Sequence, residues 1–195
     1  MGSSDLKAES FHLLGFLLSY CISLWDMSGK ISELLNEVIL LIGYFAVLHP
    51  KNQSILHWGK SPTIIEKLCQ LPFNYFIDRK LETVLNPTLL SACFRNARNR
   101  EVTERNVSLK FVLQFIKRTQ EREREEEEEK EKEKEKEGKE RKEAKEGKKG
   151  KAAEPESAKG SHGKAPVFRE GSHFALERRF PRELWSDANA WMSSD

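Results

Sequence analysis

The stretch Pro50-Lys51-Asn52-Gln53-Ser54-Ile55-Leu56-His57-Trp58-Gly59-Lys60-Ser61-Pro62-Thr63-Ile64-Ile65-Glu66-Lys67-Leu68-Cys69-Gln70-Leu71 is punctuated as two helices and a turn. Proline is favoured in a first helical turn, where its missing N–H costs nothing, so Pro50 predicts the start of a short helix. Gly59 predicts its end in a left-handed cap. Ser61 is the expected N-cap of the next helix, with Pro62 at the first helical position. Ile64, Ile65, Leu68, Cys69 and Leu71 form its expected buried face.

Upstream, Ile31, Leu34, Leu35, Val38, Ile42 and Phe45 recur at the spacing of one helix face. Ile39, Leu40 and Leu41 widen the stripe until that helix is apolar nearly all round, which predicts a central position. Gly43 costs helix propensity there, which predicts that a neighbouring helix comes close. His49-Pro50 is the expected stop. Phe11–Trp25 is about 15 residues, short of the roughly 20 that span a bilayer, and holds His12, Ser19, Tyr20 and Ser23. A buried helix is the better reading. Downstream, the expectation is a short helix around Leu81–Leu85, another opened by Asn86-Pro87, and a longer one through Leu109, Val112, Leu113 and Ile116. No strand-like alternation appears, so residues 1–118 read as an all-α core burying Leu35, Val38, Ile42, Phe45, Ile65, Leu68 and Leu113. A short helix, a glycine, a proline and a leucine-rich helix also resemble one armadillo repeat, a unit of about 40–47 residues.

The whole chain of 195 residues carries 33 basic and 31 acidic side chains, but they are unevenly spread. Residues 1–118 hold 14 Lys/Arg against 10 Asp/Glu, and residues 119–151 hold 13 against 14. The second segment has no apolar face and cannot form a core. Lys130 stands at helical spacing from Glu126 and Glu133, so residues 119–137 are expected to extend as a charged helix that frays before Gly138. Residues 138–171 read as a disordered linker, and residues 172–195 as an amphipathic helix. Phe180, Leu184, Ala188 and Trp191 share its expected inner face, with Trp185 and Met192 beside it and Pro181 at its start.

Three scattered cysteines, Cys21, Cys69 and Cys93, argue against a disulfide framework. No catalytic constellation, zinc spacing or phosphate loop is present in the sequence, so the expectation is a non-enzyme with no cofactor or metal. The candidate partner-binding residues are Arg95, Arg98, Arg100 and Arg105, flanking a helix junction, and Trp185 and Trp191. The arginines could meet an acidic protein or RNA phosphates, against the simpler account of a solvated helix end. Arg79-Lys80-Leu81 and Arg182-Glu183-Leu184-Trp185 have the Arg-x-Leu form of cyclin-docking peptides, against the simpler account that both leucines are packed.

A family resemblance follows from Glu37-Val38-Ile39, Gly43-Tyr44-Phe45, His49-Pro50, Asn52-Gln53, Gly59, Pro62-Thr63, the run Leu68-Cys69-Gln70-Leu71-Pro72-Phe73-Asn74-Tyr75-Phe76, Leu90, Ala92-Cys93 and Arg179-Phe180-Pro181 with Trp185. Over residues 10–118 and 172–191 the sequence resembles the C-terminal region of the S phase cyclin A-associated proteins of the endoplasmic reticulum. The Glu/Lys tract departs from that pattern. The resemblance implies a large cytoplasmic protein, peripheral to the endoplasmic reticulum, whose family binds cyclin A–kinase complexes. It also implies a link to messenger-RNA decay at ribosomes. The family's zinc-finger and cyclin-binding portions have no counterpart here, so the resemblance implies a terminal helical adaptor domain. The alternatives are an RNA- or ribosome-associated module and a structural cap of a helical repeat.

Overall fold

The computed structural model describes residues 3–25, 29–146 and 176–194, and all regular elements among them are helical. They fall into two units: residues 3–25 and 29–117 with 176–194, and residues 118–146.

In the first unit α1 (Ser3–Ser23) lies against α2 (Gly29–Ala46), and α2 lies against α6 (Arg79–Cys93). Between them come three short helices, α3 (Pro50–Ile55), α4 (Ile64–Cys69) and α5 (Asn74–Ile77). After α6 follow α7 (Ala97–Asn106) and the start of α8 (Lys110–Glu146). Leu35, Val38, Ile39 and Ile42 bury the inner face of α2, and Ile65, Leu68, Leu85, Leu90 and Ile116 meet the same core. Phe45 and Leu113, expected inside, are half-buried and pack on its edge. Burial on α1 is one-sided: Phe11, Leu14, Leu18 and Cys21 face inward, while Leu13, Phe16 and Tyr20 are exposed. The α2 helix is likewise not enclosed all round, because Leu34, Leu41 and Tyr44 face outward.

At Gly43 the α2 helix lies close against α6. A methyl group there would lie 2.7 Å from Thr88 Oγ1 and 3.0 Å from Arg179 Nη2. Only hydrogen fits. Pro50 occupies the first turn of α3, as expected, and His49 is its N-cap. Three other helix boundaries differ from the sequence reading. The N-cap of α4 is Thr63, not Ser61, because Thr63 and Glu66 cap each other reciprocally and Pro62 is left outside the helix. Gly59 does have a left-handed φ of 96°, but α3 has already ended at its C-cap Leu56. The two helices expected on either side of Asn86 are one, α6, with Pro87 inside it. Sequence reading also passed over α7, which Asn96 caps by accepting from the Asn99 N–H.

Three buried amide side chains, Asn52, Gln53 and Asn99, reach carbonyls near helix ends. Asn52 Nδ2 donates to the Phe45 carbonyl at 2.8 Å. Gln53 Nε2 donates to the carbonyls of Ser91 and Phe94, and Asn99 Nδ2 to those of Gln53 and Ala92. Carbonyls near the ends of α2, α3 and α6 thereby gain side-chain donors.

The C-terminal segment packs into the same core as α9 (Leu176–Arg179), a 3-10 turn (Arg182–Leu184) and α10 (Trp185–Ser193). Its inner face is Phe180, Trp185, Ala188 and Met192, with Leu184 and Trp191 half-buried. Phe180 and Ala188 are buried as expected, while Trp185 and Met192 take the places expected for Leu184 and Trp191, because α10 begins at Trp185 and Pro181 lies ahead of the 3-10 turn.

In the second unit α8 continues to Glu146, past the fraying point expected before Gly138. Lys130 and Lys132 stand 3.9 Å from Glu126 and Glu128, four residues upstream. The expected linker, residues 138–171, is helical in its first nine residues, and its remainder lies outside the described residues.

Candidate functional site: a groove beside Trp58

The arginine cluster does not form one basic face. Arg98 and Arg105 both pair with Glu101, and Arg95, held at a left-handed φ of 58°, reaches Asp187 at 3.6 Å. The Arg95 guanidinium also lies over the Phe94 ring, 4.9 Å from its centroid. Arg100 lines a shallow hollow shared with Glu101 and Glu104. Carboxylates therefore stand beside the guanidinium groups, which weakens the case for phosphate recognition.

Trp185 and Trp191 are held by the domain. Trp185 is 2% exposed and donates its indole N–H to the Phe180 carbonyl, and Trp191 donates to the Cys93 carbonyl at 3.0 Å. The Phe180 ring meets Phe94 edge-on at 5.2 Å. Arg179, which sequence reading did not count among the site residues, fixes this segment to α6. Pro87 has no N–H for the Thr83 carbonyl four residues earlier. Arg179 Nη1 donates to that carbonyl at 3.0 Å and to the Val84 carbonyl at 2.7 Å. Its Nη2 donates to Thr88 Oγ1, which itself donates to the Ile39 carbonyl. Arg179 is 3% exposed, and burial lowers its pKa to about 10. This constellation is structural: every acceptor it uses belongs to the domain. Leu81 and Leu184 of the two Arg-x-Leu patterns pack against the same core.

The surface feature that sequence reading missed lies between α1 and the loop joining α3 to α4. A groove of about 540 Å³ runs there over Phe11, Gly15, Ile55 and Ile64. Phe16 on one wall is 66% exposed and Trp58 on the other 64%. The loop carrying Trp58 is pinned at several points. The Ile65 N–H donates to the Leu56 carbonyl at 3.0 Å, and His57 Nδ1 lies 2.8 Å from Asn99 Oδ1. The Thr63 N–H donates to Glu66 Oε2 at 2.6 Å, which holds the Glu66 carboxyl below its ordinary pKa. Lys67 Nζ bridges the groove by donating to the Gly15 carbonyl at 3.1 Å. The signal in the sequence was an aromatic residue beside a glycine, off the helical period.

No family model matches the chain. Over 117 residues, 60% of the chain, the sequence is 39% identical to S phase cyclin A-associated protein in the endoplasmic reticulum of Homo sapiens. The family resemblance read from the sequence holds. The match covers 8% of that protein's length, which fits similarity to one region of a much larger protein. No helix among the described residues is long and apolar enough to cross a membrane.

Proposed function

We infer that the chain is a non-catalytic interaction module, an adaptor or scaffold element whose helical surface docks a protein partner. The observation that carries this reading is the groove, across which Phe16 on α1 and Trp58 on a tightly bonded loop are each about two-thirds exposed. Rigid display of apolar surface lowers the ordering cost of association. Similarity to a cyclin A-associated protein of the endoplasmic reticulum supports a place in a larger protein of that kind, peripheral to that membrane and serving cell-cycle control. In this reading the helices are an armadillo-like unit, and any cyclin A complex is met through other parts of the larger protein.

Proximity labelling in cells tests the reading. The chain and a Phe16→Ala/Trp58→Ala variant of unchanged helicity are expressed side by side. A set of neighbours present with the first and lost with the second is expected. Identical neighbour sets would overturn it. A purely structural cap of a helical repeat predicts that second result.

A further inference from the structure

We propose that the groove between α1 and the α3–α4 loop takes a short peptide segment with bulky apolar anchors flanked by Asp or Glu. This deepens, and rests on, the reading of the chain as an interaction module. The shape argues for a peptide. A concavity of about 540 Å³ is the size of a small-ligand pocket, which holds one or two large side chains and not the face of a folded domain. A bilayer surface would call for apolar side chains projecting from a convex face, whereas Phe16 and Trp58 stand on opposite walls with Phe11 and Ile64 between them.

Charge complementarity selects the flanking residues. His12, Lys60 and Lys67 line the groove, and no aspartate or glutamate lines it among the described residues. Glu66, the neighbouring carboxylate, is engaged with Thr63 in the α4 cap. Lys67 spends one of its three N–H donors on the Gly15 carbonyl and has two left. Lys60 is exposed in the middle of the pinned loop. A segment carrying carboxylates beside its apolar anchor meets those donors, while a basic segment meets like charge.

Selection of a displayed library of random 16-residue peptides on the full 195-residue chain tests the proposal, followed by fluorescence polarisation of the enriched peptides. The expected result is enrichment of Leu, Ile, Phe, Trp or Met beside Asp or Glu, with affinity that falls as salt rises. Trp58→Ala should weaken binding at least about tenfold. Lys60→Glu, and Lys60→Glu/Lys67→Glu where it stays folded, should weaken acidic peptides and improve basic ones. Enrichment without acidic bias, or equal binding by the Trp58→Ala variant, would overturn the proposal. So would the absence of any enriched peptide. In that case sedimentation with phosphatidylserine–phosphatidylcholine vesicles, if dependent on Trp58, assigns the surface to a membrane. Neighbours that remain dependent on Phe16 and Trp58 in cells would leave the interaction-module reading standing while this proposal fell.

Discussion

Arg179 shows how one side chain joins segments more than ninety residues apart. Its removal leaves the Thr83 carbonyl without the donor that Pro87 cannot supply and takes a side-chain donor from the Val84 carbonyl. Arg179→Ala is therefore expected to lower stability by about 2–3 kcal/mol in chemical denaturation, with Arg179→Lys intermediate. A loss below about 0.5 kcal/mol would show that those carbonyls do not need it. Leu68, fully buried, should cost about 2–5 kcal/mol on truncation to alanine. A pH effect follows from the buried thiols. Burial raises the pKa of Cys69 and of Cys93 from 9.0 to about 12, so below pH 9 each contributes its full share of stability. Above pH 9 the unfolded chain loses these protons first, and stability falls as pH rises toward 12. The lowered pKa of Arg179 acts in the opposite sense, but only above pH about 10. Between pH 9 and 10 the denaturation free energy should decline, and Cys93→Ala should make the decline shallower. An unchanged slope in the variant would contradict the assignment.

At the scale of elements, the C-terminal segment is a component of the first unit's core. Deleting residues 176–194 should bare Phe94, Val84 and Thr88, lower the thermal midpoint and increase binding of an apolar dye. An unchanged midpoint would contradict this. What was legible in the sequence divides along physical lines. The helical period of α2 and its close approach at Gly43 could be read, because both depend on local spacing and on one missing side chain. The α4 cap was legible but misread: Ser61 and Thr63 are both capping types, and Glu66, three residues beyond Thr63, decides between them. Pro87 reads locally as a break, because the donor that satisfies the Thr83 carbonyl is Arg179, far away in sequence. The α7 helix was missed because it is strongly polar, with Asn99, Val102 and Thr103 as its buried residues. For the candidate site, Arg98, Arg100 and Arg105 share one helix with the carboxylates Glu101 and Glu104 and are legible locally, whereas Asp187 beside Arg95 follows from tertiary placement. The groove needed α1 and a loop forty residues later to meet.

At the scale of the molecule, the two units answer to different forces. The first is held by a shared apolar core; the helix of the second, from Arg118 to Glu146, is held by its own backbone and by surface pairs such as Glu126–Lys130. Such pairs contribute a few tenths of a kcal/mol each and are screened by salt. Circular dichroism should show a gradual, salt-sensitive loss of helix before the cooperative transition of the core. A single salt-independent transition would contradict that division. The central claim, that the chain meets its partner at the Trp58 groove, is tested most directly by site-specific photo-crosslinking in cells. A photoreactive residue is placed at position 58 and, in a separate protein, at position 73, where Phe73 is equally exposed but outside the groove. The account predicts a discrete crosslinked partner from position 58 and none from position 73. Equal adducts from both positions, or none from position 58, would contradict it.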